Sequence, residues 1–209
     1  MHRDELAAAA AILAGRSVPM RRIVAAVGPP TMAHRRPRRT HFAELARAIC
    51  SQQLAGSAAR AIHGRFEAIY DGSPTPAAVL ATSEPVLRAV GLSGAKVAAI
   101  RDLATRVDDG SLSLARIGAK TDDEVVAQLV QVRGIGRWTA EMFLMFQLGR
   151  PDVWPVDDLG VRNGYGVLYG LAPAPTAREL EPLGDEFRPY RSVAAWYCWR
   201  AAESAPPDL

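Results

Sequence analysis

The sequence has few of the residues that support covalent cross-links and metal sites. Only two cysteines occur in 209 residues, Cys50 and Cys198, which excludes a disulfide framework and a four-thiolate zinc or iron–sulfur site. We expect both thiols to be buried as small hydrophobic groups. His34, His41 and His63 have no spacing typical of metal ligands, so we expect surface or hydrogen-bonded roles for them.

Long apolar runs are also missing. No stretch approaches the roughly 18 apolar residues that a membrane-spanning helix needs. The first segment, MHRDELAAAAAILAG, carries two acids before its apolar run, which is unlike a secretory signal. Because 49% of the residues are hydrophobic and 22% are charged, the composition is that of a folded protein and excludes a fibrous repeat. We expect a cytoplasmic protein that makes no membrane contact.

Lysine is scarce, and the basic charge is unevenly placed. Residues 1–70 hold 11 Arg against 4 acids, whereas residues 71–209 hold 14 basic and 18 acidic residues. The densest basic run, Arg35, Arg36, Arg38 and Arg39, has two interpretations: a solvated linker, which is the simpler one, or a surface that faces phosphates.

Apolar residues recur at spacings of three and four, and no segment alternates apolar and polar residues in the manner of a strand. Gly and Pro clusters separate these segments by short gaps, as at residues 28–30 and 150–152. The pattern predicts an all-α protein. The predicted helical segments are DELAAAAAILAG, PMRRIVAAVG, HFAELARAICSQQL, GSAARAIHGRFEAIY, GAKVAAIRDLATRVDDG, TDDEVVAQLVQV, GRWTAEMFLMFQLG and residues 191–203.

The most informative segment is residues 122–146, in which Arg133-Gly134-Ile135-Gly136 separates two helical stretches. Two glycines one residue apart allow a tight turn with positive φ, and the second helix begins with uncovered N–H groups. Such groups attract a phosphate, although the same glycines also suit a simple turn between helices. We expect the Ile135 side chain to be buried in the core and so to anchor the turn.

The segment GIGRWTAEMFLMF, followed by WPVDDLGVRNGYG, resembles the helix-hairpin-helix DNA glycosylase superfamily. Three more segments resemble its alkylation-repair branch, 3-methyladenine DNA glycosylase II: RAICSQQLAGSAA, VGLSGAKVAAIRDLA and RPYRSVAAWYCWR. The resemblance covers about residues 36–200. The family usually has proline where Arg133 stands. Larger relatives carry an additional amino-terminal β-rich domain, and a length of 209 residues predicts the short form without it.

The resemblance implies one two-lobed helical unit over residues 1–209 with its active site in the cleft between the lobes. We expect lobe one to span about residues 40–148, with the hairpin at 132–136. Lobe two then comprises about residues 1–39 and 149–209, because the shift at residues 149–155 is the best candidate boundary.

In this family the aspartate after the hairpin is catalytic, and the matching residue is Asp158. Breaking an N-glycosidic bond builds positive charge on the deoxyribose, which a fixed carboxylate stabilises while it positions or deprotonates a water. The alternative role is capping of the following helix, which we expect of Asp157. Gly160 and Gly164 suit either close approach to DNA or helix packing.

Relatives that also cut the DNA backbone have a lysine nucleophile where this chain has Trp138. The only lysines are Lys96 and Lys120. The resemblance therefore implies a monofunctional hydrolase that removes alkylated purines of the 3-methyladenine and 7-methylguanine type from duplex DNA and leaves an abasic site.

A flipped base needs a pocket, and an aromatic face suits a cationic alkylated base. Trp138 and Tyr190 match pocket aromatics of the family, and Trp154 is a further candidate wall. Met142 stands where a relative has tyrosine. Core packing is the expectation for four other aromatics, which are Phe143, Phe146, Trp196 and Trp199.

The resemblance also implies contacts with DNA. Gln53 aligns with the wedge residue that fills the gap left by the flipped base, and Leu54 is the alternative. The expected phosphate clamp consists of Arg137, Thr139 and the amides of Gly134 and Gly136, and Ile135 between the glycines is counted with the DNA-binding hairpin. No cofactor is implied as required, but relatives often bind a monovalent cation, Na⁺ or K⁺, through hairpin carbonyls, here those of Val130, Val132 and Ile135.

The expected partner is damaged double-stranded DNA, with no obligate protein partner. Two other functions remain open at this point: a glycosylase for a different damaged base, and a helix-hairpin-helix protein that binds DNA without catalysis. The first predicts a pocket with specific hydrogen bonding, and the second predicts that Asp158→Asn leaves function intact.

Overall fold

The computed structural model describes residues 1–32 and 39–204, and the helices predicted from the sequence form most of this part of the chain. It contains no strand, so the all-α prediction is confirmed. The helices are α1 (Arg3–Ala14), α2 (Val18–Val27), α3 (His41–Ser51), α4 (Gly56–Ala68), α5 (Pro76–Ala81), α6 (Glu84–Ala89), α7 (Gly94–Asp108), α8 (Asp122–Leu129), α9 (Arg137–Met142), α10 (Leu159–Tyr169), α11 (Ala177–Leu183) and α12 (Arg191–Ser204).

Three short helices, α5, α6 and α11, were not among the predicted segments. Each has only six or seven residues, fewer than two turns, which is too short to show the apolar period of a helix. Their signals are local instead: Thr75 caps α5 just before Pro76, and Thr176 forms a capping box with Glu179 in α11.

The chain divides into two compact units. Unit 1 comprises Met1–Arg36 and Leu144–Leu209, and unit 2 comprises Pro37–Phe143. The division falls inside a π-helical segment, Phe143–Gln147, that continues directly from α9. The sequence placed the end of the corresponding lobe at about residue 148, at the glycine and proline cluster that follows this segment.

Unit 1 is built on the crossing of α10 and α12. A Cβ at Gly164 of α10 would overlap the backbone of Cys198 in α12, so only glycine permits this approach. Gly160, one turn earlier, faces the Trp199 ring in the same way. Both glycines therefore serve helix packing. Tyr197 of α12 is fully buried, and its hydroxyl donates a hydrogen bond of 2.9 Å to the Gly28 carbonyl.

Unit 2 packs α3 and α5 against α7, the longest helix of the described chain. Its core is mostly aliphatic, and its fully buried side chains include Leu45, Ile49, Ile100, Leu103 and Phe66. Burying such side chains contributes about 1.5–3 kcal/mol each before conformational entropy is subtracted. Helix α7 is therefore packed against α3 and α5 within unit 2.

The basic run at residues 35–39 is only partly described. Arg35, Arg36 and Arg38 lie outside the described residues. Arg39 donates a hydrogen bond of 2.8 Å to Glu67, whose other carboxylate oxygen lies 3.4 Å from Nδ1 of the buried His63. Burial lowers the pKa of His63, and the hydrogen bond from Arg39 lowers the pKa of Glu67.

Within the described chain, no helix is both long and apolar enough to cross a bilayer.

Candidate nucleic-acid interface and catalytic carboxylate

The hairpin, residues Val132–Gly136, is a tight turn between α8 and α9. The Ile135 N–H donates to the Val132 carbonyl over 3.0 Å, and the Ile135 side chain is buried, as predicted. Gly134 has φ of +77°, the left-handed geometry that favours glycine. Gly136 has φ of −90°, so this second glycine is not required by backbone geometry.

Gly136 instead occupies the N-cap of α9, where it has no side chain to accept a hydrogen bond. A Cβ built on Gly136 meets no atom within 4 Å, which shows that the space beside this helix end is open. The N–H groups of a first helical turn lack partners within the helix and carry the positive end of its dipole. This end of α9 therefore presents donors that suit an anion.

Arg137 and Thr139 follow in the first turn of α9, and they differ in exposure. The Arg137 side chain is 61% exposed and pairs over 2.9 Å with Glu141, whose side chain is only 4% exposed. Thr139 is buried, so its side chain does not extend into solvent as a clamp would. Any contribution of Thr139 to anion binding comes from its backbone N–H.

Arg133 uses a backbone group that proline, the usual family residue, lacks. Its N–H donates a 2.8 Å hydrogen bond to Oδ2 of Asp102 on α7. The same oxygen accepts a 3.0 Å bond from Nε of Arg106. A carboxylate on α7 thus holds the start of the hairpin.

The wedge turn, Gln52–Leu54, follows α3. Gln53 has φ of +55°, which is uncommon outside glycine, and both Gln53 and Leu54 are exposed. The preceding residue joins this turn to the hairpin, because Nε2 of Gln52 donates a 2.8 Å hydrogen bond to the Gly134 carbonyl. Two regions predicted separately from the sequence therefore lie together in unit 2.

Lys96 of α7 also contacts the wedge turn. Its Nζ donates 2.7 Å hydrogen bonds to the carbonyls of Cys50 and Gln52, at the carboxyl end of α3. Partial burial lowers the pKa of Lys96, and burial raises the pKa of the Cys50 thiol to about 12. Cys50 is therefore an inert, protonated thiol at neutral pH.

Asp158 is the N-cap of α10 in unit 1. Its Oδ1 accepts 2.9 Å hydrogen bonds from the Val161 N–H and from Nε1 of Trp199. The side chain is largely buried, whereas Asp157 is exposed. The sequence assigned capping to Asp157, and this was wrong: the residue proposed for catalysis is itself the cap.

Trp199 and Phe146 were expected to be core residues. Trp199 is instead only partly buried, donates to Asp158, and stacks on Phe146 at a centroid distance of 5.8 Å. Phe146 is 46% exposed. Both are therefore candidate site residues that the sequence did not single out. Trp199 is 41 positions from Asp158, beyond any local pattern.

The proposed base-pocket residues fall in both units and differ in exposure. In unit 2, Trp138 is 45% exposed and Met142 is half-buried. In unit 1, Tyr190 is half-buried just before α12. Trp154 is a core residue: it is 7% exposed, its Nε1 donates to the Leu180 carbonyl, and its ring packs on Phe187. It retains too little surface to form a wall for a base.

Metal ligation by side chains has no support in the described residues, where no group of three or more His, Cys, Asp and Glu side chains is arranged to hold an ion. The carbonyls of Val130, Val132 and Ile135 lie in or beside the hairpin, after α8 ends at Leu129. Carbonyl oxygens outside a helical ladder suit hard cations.

A helical fold with a glycine-capped helix after a tight turn, followed by a carboxylate on a second helix end, defines the class of helix-hairpin-helix DNA-repair proteins. Residues 46–189 match the family described as HhH-GPD superfamily base excision DNA repair protein. The chain belongs to this superfamily.

Known relatives cover most of the chain. DNA-3-methyladenine glycosylase 1 of Schizosaccharomyces pombe is 35% identical over 196 residues, which span 92% of this chain and 86% of the relative. The structure of 3-methyladenine DNA glycosylase Mag1 of that yeast, in complex with abasic DNA, has a TM-score of 0.83, 35% identity, and coverage of 94% and 97% of the two chains.

A structure described as DNA-3-methyladenine glycosidase from Bacillus halodurans has a TM-score of 0.82 and 32% identity, with coverage of 92% of this chain and 88% of that one.

Proposed function

We propose that the protein is a monofunctional DNA glycosylase of base excision repair, acting on alkylated purines of the 3-methyladenine and 7-methylguanine type in duplex DNA and leaving an abasic site. The observation that carries the proposal is the anchored carboxylate of Asp158, held by the Val161 N–H and Nε1 of Trp199. The names of the relatives described above support the substrate class.

The reaction needs a fixed negative charge. As the bond between the base and C1′ breaks, the base leaves with the bonding electrons and positive charge develops on the sugar. The Asp158 carboxylate stabilises that charge, and a water adds its oxygen to C1′ while its proton passes to the same carboxylate, which later returns the proton to solvent. Two hydrogen bonds to Oδ1 restrict rotation of the carboxyl group, which favours catalysis because the charge is oriented in advance.

An alkylated purine of this type is a good leaving group. Alkylation at a ring nitrogen makes the base cationic, so it departs as a neutral molecule without prior protonation. One carboxylate therefore suffices, and no second acid is needed to protonate the leaving group.

Schiff-base chemistry has no lysine at the position where the lyase relatives carry one. By the resemblance, Trp138 stands where the relatives that also cut the DNA backbone have lysine, and the sequence has only two lysines, Lys96 and Lys120. The Lys96 ammonium is bound to two backbone carbonyls, which keeps it from acting as a nucleophile. Strand cleavage by β-elimination is therefore not part of the proposal.

Recognition of the base is assigned to aromatic surfaces. The exposed Trp138 ring offers a face for stacking and cation–π attraction with a cationic purine, worth about 0.5–2 kcal/mol. Tyr190 and Met142 are the other proposed pocket residues. The preference for alkylated bases then comes from their charge.

DNA binding is assigned to unit 2. The backbone N–H groups at Gly134 and Gly136, together with Arg137, bind a phosphodiester, and Gln53 or Leu54 fills the gap in the base stack. A Na⁺ or K⁺ ion at the carbonyls of Val130, Val132 and Ile135 would add positive charge beside that phosphate. We further propose that the protein acts on DNA in the cytoplasm.

The test is release of free bases from methylated duplex DNA. We expect the wild type to release methylated purines, Asp158→Asn to lose this activity, and strand breaks to appear only after alkali. Asp157→Asn is the matched control, because it removes the same charge from the exposed neighbour.

Three results would contradict the proposal. Strand breaks without alkali would reveal lyase chemistry. Equal activity of Asp158→Asn and wild type would exclude a mechanism that depends on the Asp158 carboxylate. Tight DNA binding without base release would favour another lesion or a protein that only binds DNA.

A further inference from the structure

Lys96 lies in an electrostatically unfavourable place on its own helix. Ser93 caps α7, and Lys96 follows in the first turn, where the helix dipole disfavours a cation. Its ammonium instead lies at the carboxyl end of α3, bonded to the carbonyls of Cys50 and Gln52. A cation is favourable at that end, where the last carbonyls lack helical partners.

The same face of α7 contacts the hairpin. Ala99 lies one turn after Lys96, and its Cβ would be 3.2 Å from a Cβ placed on Gly134. Asp102 lies one turn further and accepts the Arg133 N–H. Residues spaced by three share a helix face, so this face carries contacts to both loops.

A hydrogen bond also joins the wedge turn directly to the hairpin. Gln52, whose carbonyl is held by Lys96, donates through its side chain to the Gly134 carbonyl over 2.8 Å. The wedge turn and the hairpin are therefore each bonded to α7 and also to one another. Gln53, which has a positive φ, follows Gln52 in the wedge turn that these hydrogen bonds hold.

We propose that α7 sets the spacing between the wedge turn and the hairpin, with Lys96 as the positioning residue that keeps the wedge in register with the bound phosphate during base flipping. This inference rests on the proposed function for its biological meaning. Flipping requires a side chain to enter the stack at a set distance from the phosphate contacts, and a displacement of about 1 Å can lower rates by about 100-fold.

The test uses Lys96→Met, which retains the aliphatic stem and removes the two hydrogen bonds, beside Lys120→Met, which removes the same charge elsewhere. The substrate is methylated duplex DNA. We expect Lys96→Met to lower the single-turnover rate of base release by about 10- to 100-fold, because the wedge is displaced, while the affinity for undamaged duplex changes by less than about threefold, because the hairpin still binds phosphate.

A second measurement does not depend on chemistry. A duplex that carries a stable abasic-site analogue beside 2-aminopurine reports insertion of the wedge through a fluorescence change. We expect a full change for wild type and Lys120→Met at saturating protein, and a smaller amplitude for Lys96→Met. If the wild type changes the fluorescence but releases no base, the proposed function fails while the positioning role is still measured.

If Lys96→Met does not fold, Gln52→Leu tests the same spacing through its other link, because it removes the exposed side-chain hydrogen bond between the wedge turn and the Gly134 carbonyl. A reduced insertion amplitude with retained duplex affinity supports the proposal. Equal amplitudes and equal single-turnover rates for the variant, wild type and Lys120→Met overturn it, as does a loss confined to duplex affinity.

Discussion

The amino termini of α9 and α10 differ in what is available to neutralise their positive charge. The amino terminus of α9 is capped by Gly136, has no side-chain acceptor, and opens to space. The amino terminus of α10 is capped by the carboxylate of Asp158, which is largely buried. Both ends attract negative charge. The first leaves room for an anion from outside, and the second holds an anion of its own.

This difference separates binding from catalysis. An open helix end suits a ligand that arrives and leaves, such as a DNA phosphate. A helix end filled by its own side chain holds that charge in one orientation, which suits stabilisation of a short-lived cation on the sugar. The chain uses glycine for one task and aspartate for the other.

The largest effect is expected from removing the Asp158 carboxylate. Asp158→Ala and Asp158→Asn should both lower base release by about 1000-fold, because neither supplies a negative charge. Only alanine removes the cap, so it should also lower the free energy of unfolding by about 1 kcal/mol, whereas asparagine caps well. Base release and urea unfolding check both claims; equal stability of the two variants would show that the cap contributes little.

The next largest effect is expected from placing a carboxylate at the N-cap of α9, as α10 already has. Gly136→Asp should place a carboxylate on α9, raise stability by a few tenths of a kcal/mol, and lower DNA affinity by about 10- to 100-fold. The slope of log affinity against log salt should become shallower by about one. Gly136→Asn is the control, since it caps without charge. Unchanged affinity of the aspartate variant would exclude this helix end as a phosphate site.

A smaller effect is expected from removing one of the two hydrogen bonds to Oδ1 that orient the Asp158 carboxylate. Trp199→Phe retains an aromatic ring against Phe146 but loses the hydrogen bond to Asp158. Hydrogen bonds to charged groups contribute about 1.5–3 kcal/mol. Because the Val161 N–H still donates to Asp158, we expect the lower end of this range: kcat should fall by about tenfold, with KM changed little. Trp196→Phe, on the same helix, is the control. A change confined to KM would assign Trp199 to substrate contact instead.

The smallest effect is expected at Arg137. Its exposed guanidinium is already paired with Glu141, so Arg137→Gln should lower duplex affinity by no more than about threefold. Fluorescence anisotropy at two salt concentrations measures this. A loss as large as that of Gly136→Asp would show that the side chain, rather than the helix end, dominates phosphate binding.

The sequence predicted nine of the twelve α-helices of the described chain, the hairpin and the burial of Ile135, because all three depend on short spacings. It assigned the capping role to Asp157 because adjacent acids look alike in sequence, and only the backbone at the start of α10 distinguishes them. Trp154 was taken for a pocket wall for a related reason: an aromatic residue near a motif does not reveal its partner, here the Leu180 carbonyl.

The contacts that organise the site join distant positions. Trp199 reaches Asp158 across 41 residues, and Gln52 reaches Gly134 across 82. Neither pair has a recognisable local motif. Lys96 was noted in the sequence only as a lysine at the wrong position for a nucleophile, although its two bonds to carbonyls make it the contact between α7 and the wedge turn.

The bond between the Arg133 N–H and Asp102 affects the dynamics of the hairpin. A proline at this position would stiffen the turn through its own ring, independently of its neighbours. Here the turn is held by a helix more than 30 residues earlier in the chain. Hydrogen exchange at the hairpin amides should therefore be governed by the opening of α7, so that turn and helix exchange as one cooperative unit.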